Sequence, residues 1–121
     1  MRPLDAYLAV PYSHPNKLMM NIRFETVTAI LANLTRKGMV CFSPITHSHK
    51  VSVDYGVDGA WEFWENIDFK FLDACQSIIV VKMEGWDKSR GVLAEIEYAK
   101  KTGMGMFEIT DFNSLEIKEM L

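Results

Sequence analysis

The chain has 121 residues, 49% of them apolar and 24% charged, with a formal net charge of −3. That length accommodates one domain around one core, spanning residues 1–121. An acidic balance, with a pI near 5.6, excludes a nucleic-acid-coating surface, which needs a basic excess, but leaves room for a small phosphate ligand, which needs only local donors.

Cys41 and Cys75 form no CxxC pair and lie in apolar surroundings, so they read as reduced core thiols. No apolar run approaches membrane-spanning length, so no membrane partner is expected. The first residues lack a signal peptide's long apolar region, and a cytoplasmic protein is expected.

In chain order, residues 6–10 form a short apolar run ended by Pro11, a first strand. Residues 11–16 put two prolines around polar turn-formers and read as a loop. A long helix is predicted over residues 17–37. Met20, Phe24, Val27, Leu31 and Leu34 recur at spacings of three and four, and Gly38 stops it. Residues 39–42 read as a second strand. From Ser43 to Gly59 no period stands out, and a segment this long predicts a binding loop or lid. A second helix is predicted over residues 60–75. Residues 77–82 form a continuous apolar run, as in strands buried on both faces of a parallel sheet. A turn at residues 83–88 leads into a third helix that starts near Ser89 and ends before Gly103. Residues 104–109 read as a fourth strand, and residues 113–121 as a terminal helix capped by Asn113.

Strands alternating with helices predict an α/β class: a small doubly wound, Rossmann- or flavodoxin-like, three-layer domain. Its parallel sheet has four to five strands in the order 2-1-3-4. Ligands bind such sheets beyond the carboxyl ends of the strands where the winding reverses. Here that point falls between strands one and three, at the loops of residues 11–16 and 83–89.

Several residues in this frame carry chemistry. Asp68 interrupts a helical stripe of Trp61, Trp64, Phe71, Leu72 and Cys75. A carboxylate there is paired, protonated or facing a ligand. A structural Asp bonded to a loop N–H or to Arg23 satisfies the same pattern. Glu97 has Lys100 and Lys101 three and four residues ahead, a solvated face. Glu95 lies toward the core-facing side of the same helix, where it is either a structural boundary residue or a carboxylate that reaches a site from below. Ser89 is a good N-cap, and with Gly91 it would let an anion approach the helix start; capping alone is the plainer alternative. Trp86, in the preceding turn, either stacks on a base or folds back on the sheet. His14, His47 and His49 invite a metal reading, but His47-x-His49 has no carboxylate or Cys at metal-ligand spacing, so no metal is assigned. His47 is instead taken as a substrate contact.

Three features in order carry a resemblance: Tyr7-Leu8-Ala9-Val10-Pro11, Asp68 ahead of Ala74-Cys75-Gln76-Ser77-Ile78-Ile79-Val80-Val81, and Ser89-x-Gly91 followed by Glu95. Together they resemble the nucleoside 2-deoxyribosyltransferase superfamily, including its 2′-deoxynucleoside 5′-monophosphate N-hydrolases. Pro11-Tyr12-Ser13-His14, Phe42-Ser43 and a Gly85-Trp86-x-x-Ser89-x-Gly91 turn are similar to the DUF1937 group within it.

The resemblance implies that Glu95 attacks the anomeric carbon to give a glycosyl-enzyme ester. It implies that Asp68 positions the sugar and assists proton transfer, and that Tyr7 orients Glu95. The position of Ser89 holds an Asp in nucleoside-specific transferases and a Ser in the nucleotide hydrolases, which implies a 5′-phosphorylated ligand. Ser13, Pro11 and Tyr12 of the first loop, with Gly91, Trp86 and His47, complete the implied substrate contacts. The first loop departs from the hydrolases' Gly-Ser-x-Arg-Gly type and lacks its Arg. The turn at residues 83–88 is longer than theirs.

The expected function is therefore cleavage or transfer of the N-glycosidic bond of a (deoxy)nucleoside 5′-monophosphate. A non-catalytic nucleotide-binding module of the same fold is the alternative. No cofactor is called for. The partner is a small-molecule nucleotide or nucleoside rather than nucleic acid. A homo-oligomer, dimer or tetramer, is implied because in several relatives a neighbouring subunit completes the site.

Overall fold

The computed structural model describes residues 4–57 and 61–120. It is a three-layer α/β domain. In chain order the elements are β1 (Ala6–Ala9), α1 (Lys17–Arg36), β2 (Cys41–Phe42), α2 (Pro44–Val53), α3 (Trp61–Asp73), β3 (Ser77–Val81), a short 3-10 turn (Trp86–Lys88), α4 (Arg90–Thr102), β4 (Gly105–Ile109) and β5 (Ile117–Glu119). Residues 58–60, where the second predicted helix begins, lie outside the described residues.

The sheet runs β2-β1-β3-β4-β5. Strands β1 to β4 are parallel, with Tyr7 opposite both Phe42 and Ile78. All four residues of β1 are buried, and so are the last four of β3, because helices cover both faces of the sheet. Alternation divides each strand between the two layers. Ala6, Leu8, Val10, Ile79 and Val81 pack with Val27, Ile30 and Leu34 of α1 and Ile45 of α2. Tyr7, Ala9, Ile78 and Val80 pack with Leu72 of α3 and Val92, Ile96 and Ala99 of α4.

Two expectations are corrected. Residues 44–53 are the helix α2, not part of a loop. Ser43 caps it, its Oγ accepting from the Thr46 N–H at 3.2 Å, and Pro44 opens the first turn, where a missing N–H is harmless. Residues 113–120 do not form a helix, and Leu121 lies outside the described residues. Asp111 Oδ1 accepts from the N–H groups of Asn113 at 2.9 Å and Ser114 at 3.3 Å, closing a turn ahead of the expected cap. Leu115 then adopts a left-handed φ of 55°, which breaks any helical run. The chain leaves this turn as β5, antiparallel to β4, with Ile117 opposite Ile109. The sheet therefore has one antiparallel edge strand, and Leu115 and Ile117 extend the first core layer.

Candidate active site

A cavity of about 480 Å³ lies beyond the carboxyl ends of β1 and β3, where the winding reverses. That is an ordinary size for a small-molecule site. Val10 to His14 form one wall and Gly85 with residues 88–92 form the other; α2, α3, Arg23 of α1 and Glu95 of α4 contribute the rest.

Helix α4 supplies two chemical groups to the cavity. At its start, Ser89 is the N-cap, its Oγ accepting from the Val92 N–H at 3.2 Å. Capping uses the acceptor side of the hydroxyl and leaves its hydrogen for a ligand. One turn on, the buried face is Val92, Glu95, Ile96 and Ala99, the i, i+3, i+4, i+7 stripe of a core-facing helix. Glu95 occupies an apolar position in that stripe and is 4% exposed, while Glu97 is exposed.

Tyr7 reaches Glu95 from β1. It is fully buried, and its hydroxyl donates a hydrogen bond to Glu95 Oε2. Burial pushes the Glu95 carboxyl up to about 8; the Tyr7 hydroxyl pulls the other way, and the charge of Asp68 adds to the rise. Burial also lifts the Tyr7 phenol well above its ordinary value, with further contributions from Glu95 and Asp68, so it stays a donor at neutral pH.

Asp68 lines the same cavity from α3, next to Trp64. Burial pushes its carboxyl up to about 7. It is not paired with Arg23, whose guanidinium goes elsewhere: Nη1 donates to the carbonyls of Tyr12 at 3.4 Å and Ser13 at 3.2 Å, and Nη2 to that of Glu84 at 3.0 Å.

Helix α2 presents Ile45, Ser48, His49 and Ser52 to the cavity, again one helical face. The His49 ring stacks on Phe24, with centroids 4.2 Å apart, and its Nδ1 meets the Tyr12 hydroxyl at 2.5 Å. His14 Nδ1 accepts from the Asn16 N–H at 3.0 Å, which leaves Nε2 as the protonated nitrogen of the neutral ring.

Of the residues singled out in the sequence, Asp68, Glu95, Ser89, Gly91, Pro11, Tyr12 and Ser13 line this one cavity, and Tyr7 supports it from beneath. Two do not line it. Trp86 folds back against the layer of α3 and α4, with Lys82 Nζ 4.6 Å from its ring centroid. His47 lies on a different face of α2 from His49 and packs its exposed ring against Phe42 and Phe71, at 5.5 and 5.4 Å. Arg23, Ser48, Ser52, Lys88 and Arg90 also line the cavity and were not singled out as site residues in the sequence, where His14 and His49 were weighed only as metal ligands. Arg23 and Asp68 carry the same signal, a charge inside an apolar helical stripe. The α2 residues are found only once that segment is read as a helix. Among the described residues no group of three metal-ligating side chains is placed to hold a metal. No described helix is long and apolar enough to cross a membrane.

The family model described as "Domain of unknown function (DUF1937)" matches residues 4–111. No curated protein matches the chain. Among solved structures, the fold is similar to that of a 2-deoxyribosyltransferase from Bacillus psychrosaccharolyticus. The TM-score is 0.60 at 18% identity, covering 97% of this chain and 99% of that one.

Proposed function

We propose that this chain, which belongs to the DUF1937 family, cleaves or transfers the N-glycosidic bond of a (deoxy)nucleoside 5′-monophosphate. The observation that carries the reading is the meeting of Glu95 and Asp68 in one cavity, with the Tyr7 hydroxyl on Glu95 Oε2. Similarity of fold to a protein named as a 2-deoxyribosyltransferase supports it.

The chemistry follows from the side chains. Tyr7 fixes Oε2, so Oε1 of ionised Glu95 is the nucleophile. It forms a C–O bond at the anomeric carbon as the C–N bond breaks and the electron pair leaves with the base. Positive charge builds on the sugar in that step, and an anion beneath it lowers the barrier. Asp68, with its raised proton affinity, delivers a proton to the departing base, directly or through water. It then takes one back from the water or second base that opens the glycosyl ester. Ser89 and the open N-terminus of α4 favour an anionic group at the far end of the ligand.

Incubation with a panel of nucleoside and deoxynucleoside monophosphates, read by chromatography for free base, tests the proposal. Base release that Glu95→Ala abolishes is the expected result. Undiminished release by that variant sinks the mechanism.

One observation favours a second reading, a non-catalytic nucleotide-binding module. A Glu95 carboxyl that holds its proton up to about 8 is a poor nucleophile at neutral pH. Nucleotide binding without base release, unchanged in Glu95→Gln, would select that reading.

A further inference from the structure

Arg23 is 9% exposed and occupies the buried row of α1 with Val27, Ile30 and Leu34, a row that is otherwise apolar. A guanidinium keeps its charge under all ordinary conditions, and burying a charge is unfavourable unless something opposite balances it. Arg23 has hydrogen bonds but no counter-charge. Its three partners are the carbonyls of Tyr12, Ser13 and Glu84. Among the described residues the ion pairs are Lys50–Asp54, Lys82–Glu108 and Arg90–Glu62, so no carboxylate neutralises it. Asp68 and Glu95 border the same cavity, yet neither pairs with Arg23.

The carbonyls are as informative as the charge. Tyr12 and Ser13 belong to the loop after β1, and Glu84 belongs to the loop after β3. Arg23 therefore ties together the two loops that form the crevice. Gly85 makes room for it: a Cβ there would sit 2.9 Å from Nη2, and its φ of +93° already favours glycine. Three of the five guanidinium N–H donors are accounted for by these carbonyls, and the side chain borders the cavity beside Ser13 and Ser89.

We propose that Arg23 is the specificity-determining residue for a phosphorylated ligand. It locks the two loops and supplies the permanent positive charge that a 5′-phosphate neutralises. The inference rests on the nucleotide reading of the cavity. It assigns to α1 the cation that the first loop lacks.

The test compares the wild type with Arg23→Gln, which keeps a donor but removes the charge, and with Arg23→Lys, which keeps the charge. The readouts are kcat/KM for a nucleoside 5′-monophosphate and for the matching nucleoside, and the shift in melting temperature with inorganic phosphate. The expected result is a loss of about 30-fold or more in monophosphate preference in Arg23→Gln, with most of it retained in Arg23→Lys. Equal losses on both ligands in Arg23→Gln, or equal loss of preference in both variants, would overturn the proposal by leaving Arg23 a purely structural clamp. If Arg23→Gln does not fold, retained preference in Arg23→Lys supports the proposal and lost preference overturns it. If the wild type turns over neither ligand, the glycosidic reading fails separately. Stabilisation by inorganic phosphate that Arg23→Gln abolishes would still uphold the role of Arg23, and its absence from the wild type would overturn it.

Discussion

Replacing Glu95 by Gln makes the variant gain in stability on the wild type as pH rises, whatever fixed cost its amide carries at acidic pH. The sign follows from the direction of the shift. Burial moves the carboxyl from 4.5 to about 8 in the folded chain, so between those values the folded state holds a proton that the unfolded state has released. Stability contributed by this group is full below the lower value and falls as pH rises toward the upper one. Each unit corresponds to about 1.4 kcal/mol, so the buried charge costs at most roughly 4 kcal/mol between pH 5 and pH 9. Gln has the shape of protonated Glu and never ionises. Its Oε1 still accepts from Tyr7, and its extra N–H pair, if left unsatisfied, costs about 1–3 kcal/mol at every pH. The difference between variant and wild type should therefore climb by about 2–4 kcal/mol from pH 5 to pH 9. Urea unfolding at both pH values measures it, appearing as a midpoint gain of about 1–2 M at a slope of about 2 kcal/mol per M. A variant-to-wild-type difference that stays within about 1 kcal/mol across that range would refute the claim that Glu95 is a buried, proton-retaining carboxyl.

Three further outcomes follow from particular contacts. Tyr7→Phe removes the only hydrogen bond seen on Glu95 among the described residues, so the ionising limb of the pH–rate profile should move to higher pH. The rate at neutral pH should then fall by about 10- to 100-fold, and an unmoved limb would count against the orienting role. Ser89→Asp keeps the α4 cap but places a carboxylate at the cavity. Its melting temperature should hold within a few degrees, whereas preference for monophosphate over nucleoside should drop by about tenfold or more, as measured by paired kinetics. Gly85→Ala forces a side chain into a left-handed turn 2.9 Å from Arg23. It should lower stability by more than about 1 kcal/mol in denaturant unfolding, and a neutral result would mean the turn can shift away from Arg23.

How much of this was legible in the sequence depended on how each element is buried. The β1 and β3 runs were readable because both faces are covered, which leaves no polar positions to blur them. Glu95 and Glu97 separated by helical phase alone, since α4 has the clean stripe of a helix between core and solvent. Helix α2 had no such stripe. Its inward face carries Ser48, His49 and Ser52 because it borders a cavity rather than a core. Only the Ser43-Pro44 start marked it, and the choice between His47 and His49 turned on that missed helix. In α1 the apolar stripe reads as Met20, Phe24, Val27, Leu31 and Leu34; the structure buries Val27 and Leu34 together with Ile30 and Arg23, and packs Phe24 and Leu31 at the edge of that row. The charge of Arg23 hides its place in that row from a pattern built on apolar residues. The three-residue β5 carries too little pattern to compete with a helical reading, and it exists because it pairs with β4.

The same burial that made Glu95 conspicuous sets a condition on its chemistry. In the proposed reaction Glu95 must be ionised while Asp68 is protonated. Burial raises both carboxyls into the same range, Asp68 to about 7 and Glu95 to about 8, so each can hold a proton near neutral pH. The productive arrangement is one of the two singly protonated forms of the pair. Below both values each carboxyl is protonated and there is no nucleophile. Above both, each is ionised and there is no acid. Base release should therefore follow a narrow bell in kcat/KM, centred between about 7 and 8, and its two limbs belong to the pair rather than to either residue. A bound ligand that brings positive charge to the sugar favours ionised Glu95 more than ionised Asp68 only if Glu95 lies nearer the anomeric carbon. Profiles of kcat/KM from pH 5.5 to 9.5 for the wild type and Asp68→Asn read this directly. Asp68→Asn should lose the alkaline limb and retain the acidic one, because Glu95 still has to ionise. Retention of both limbs in Asp68→Asn would remove Asp68 from the proton transfer and assign the acid to another group at the cavity.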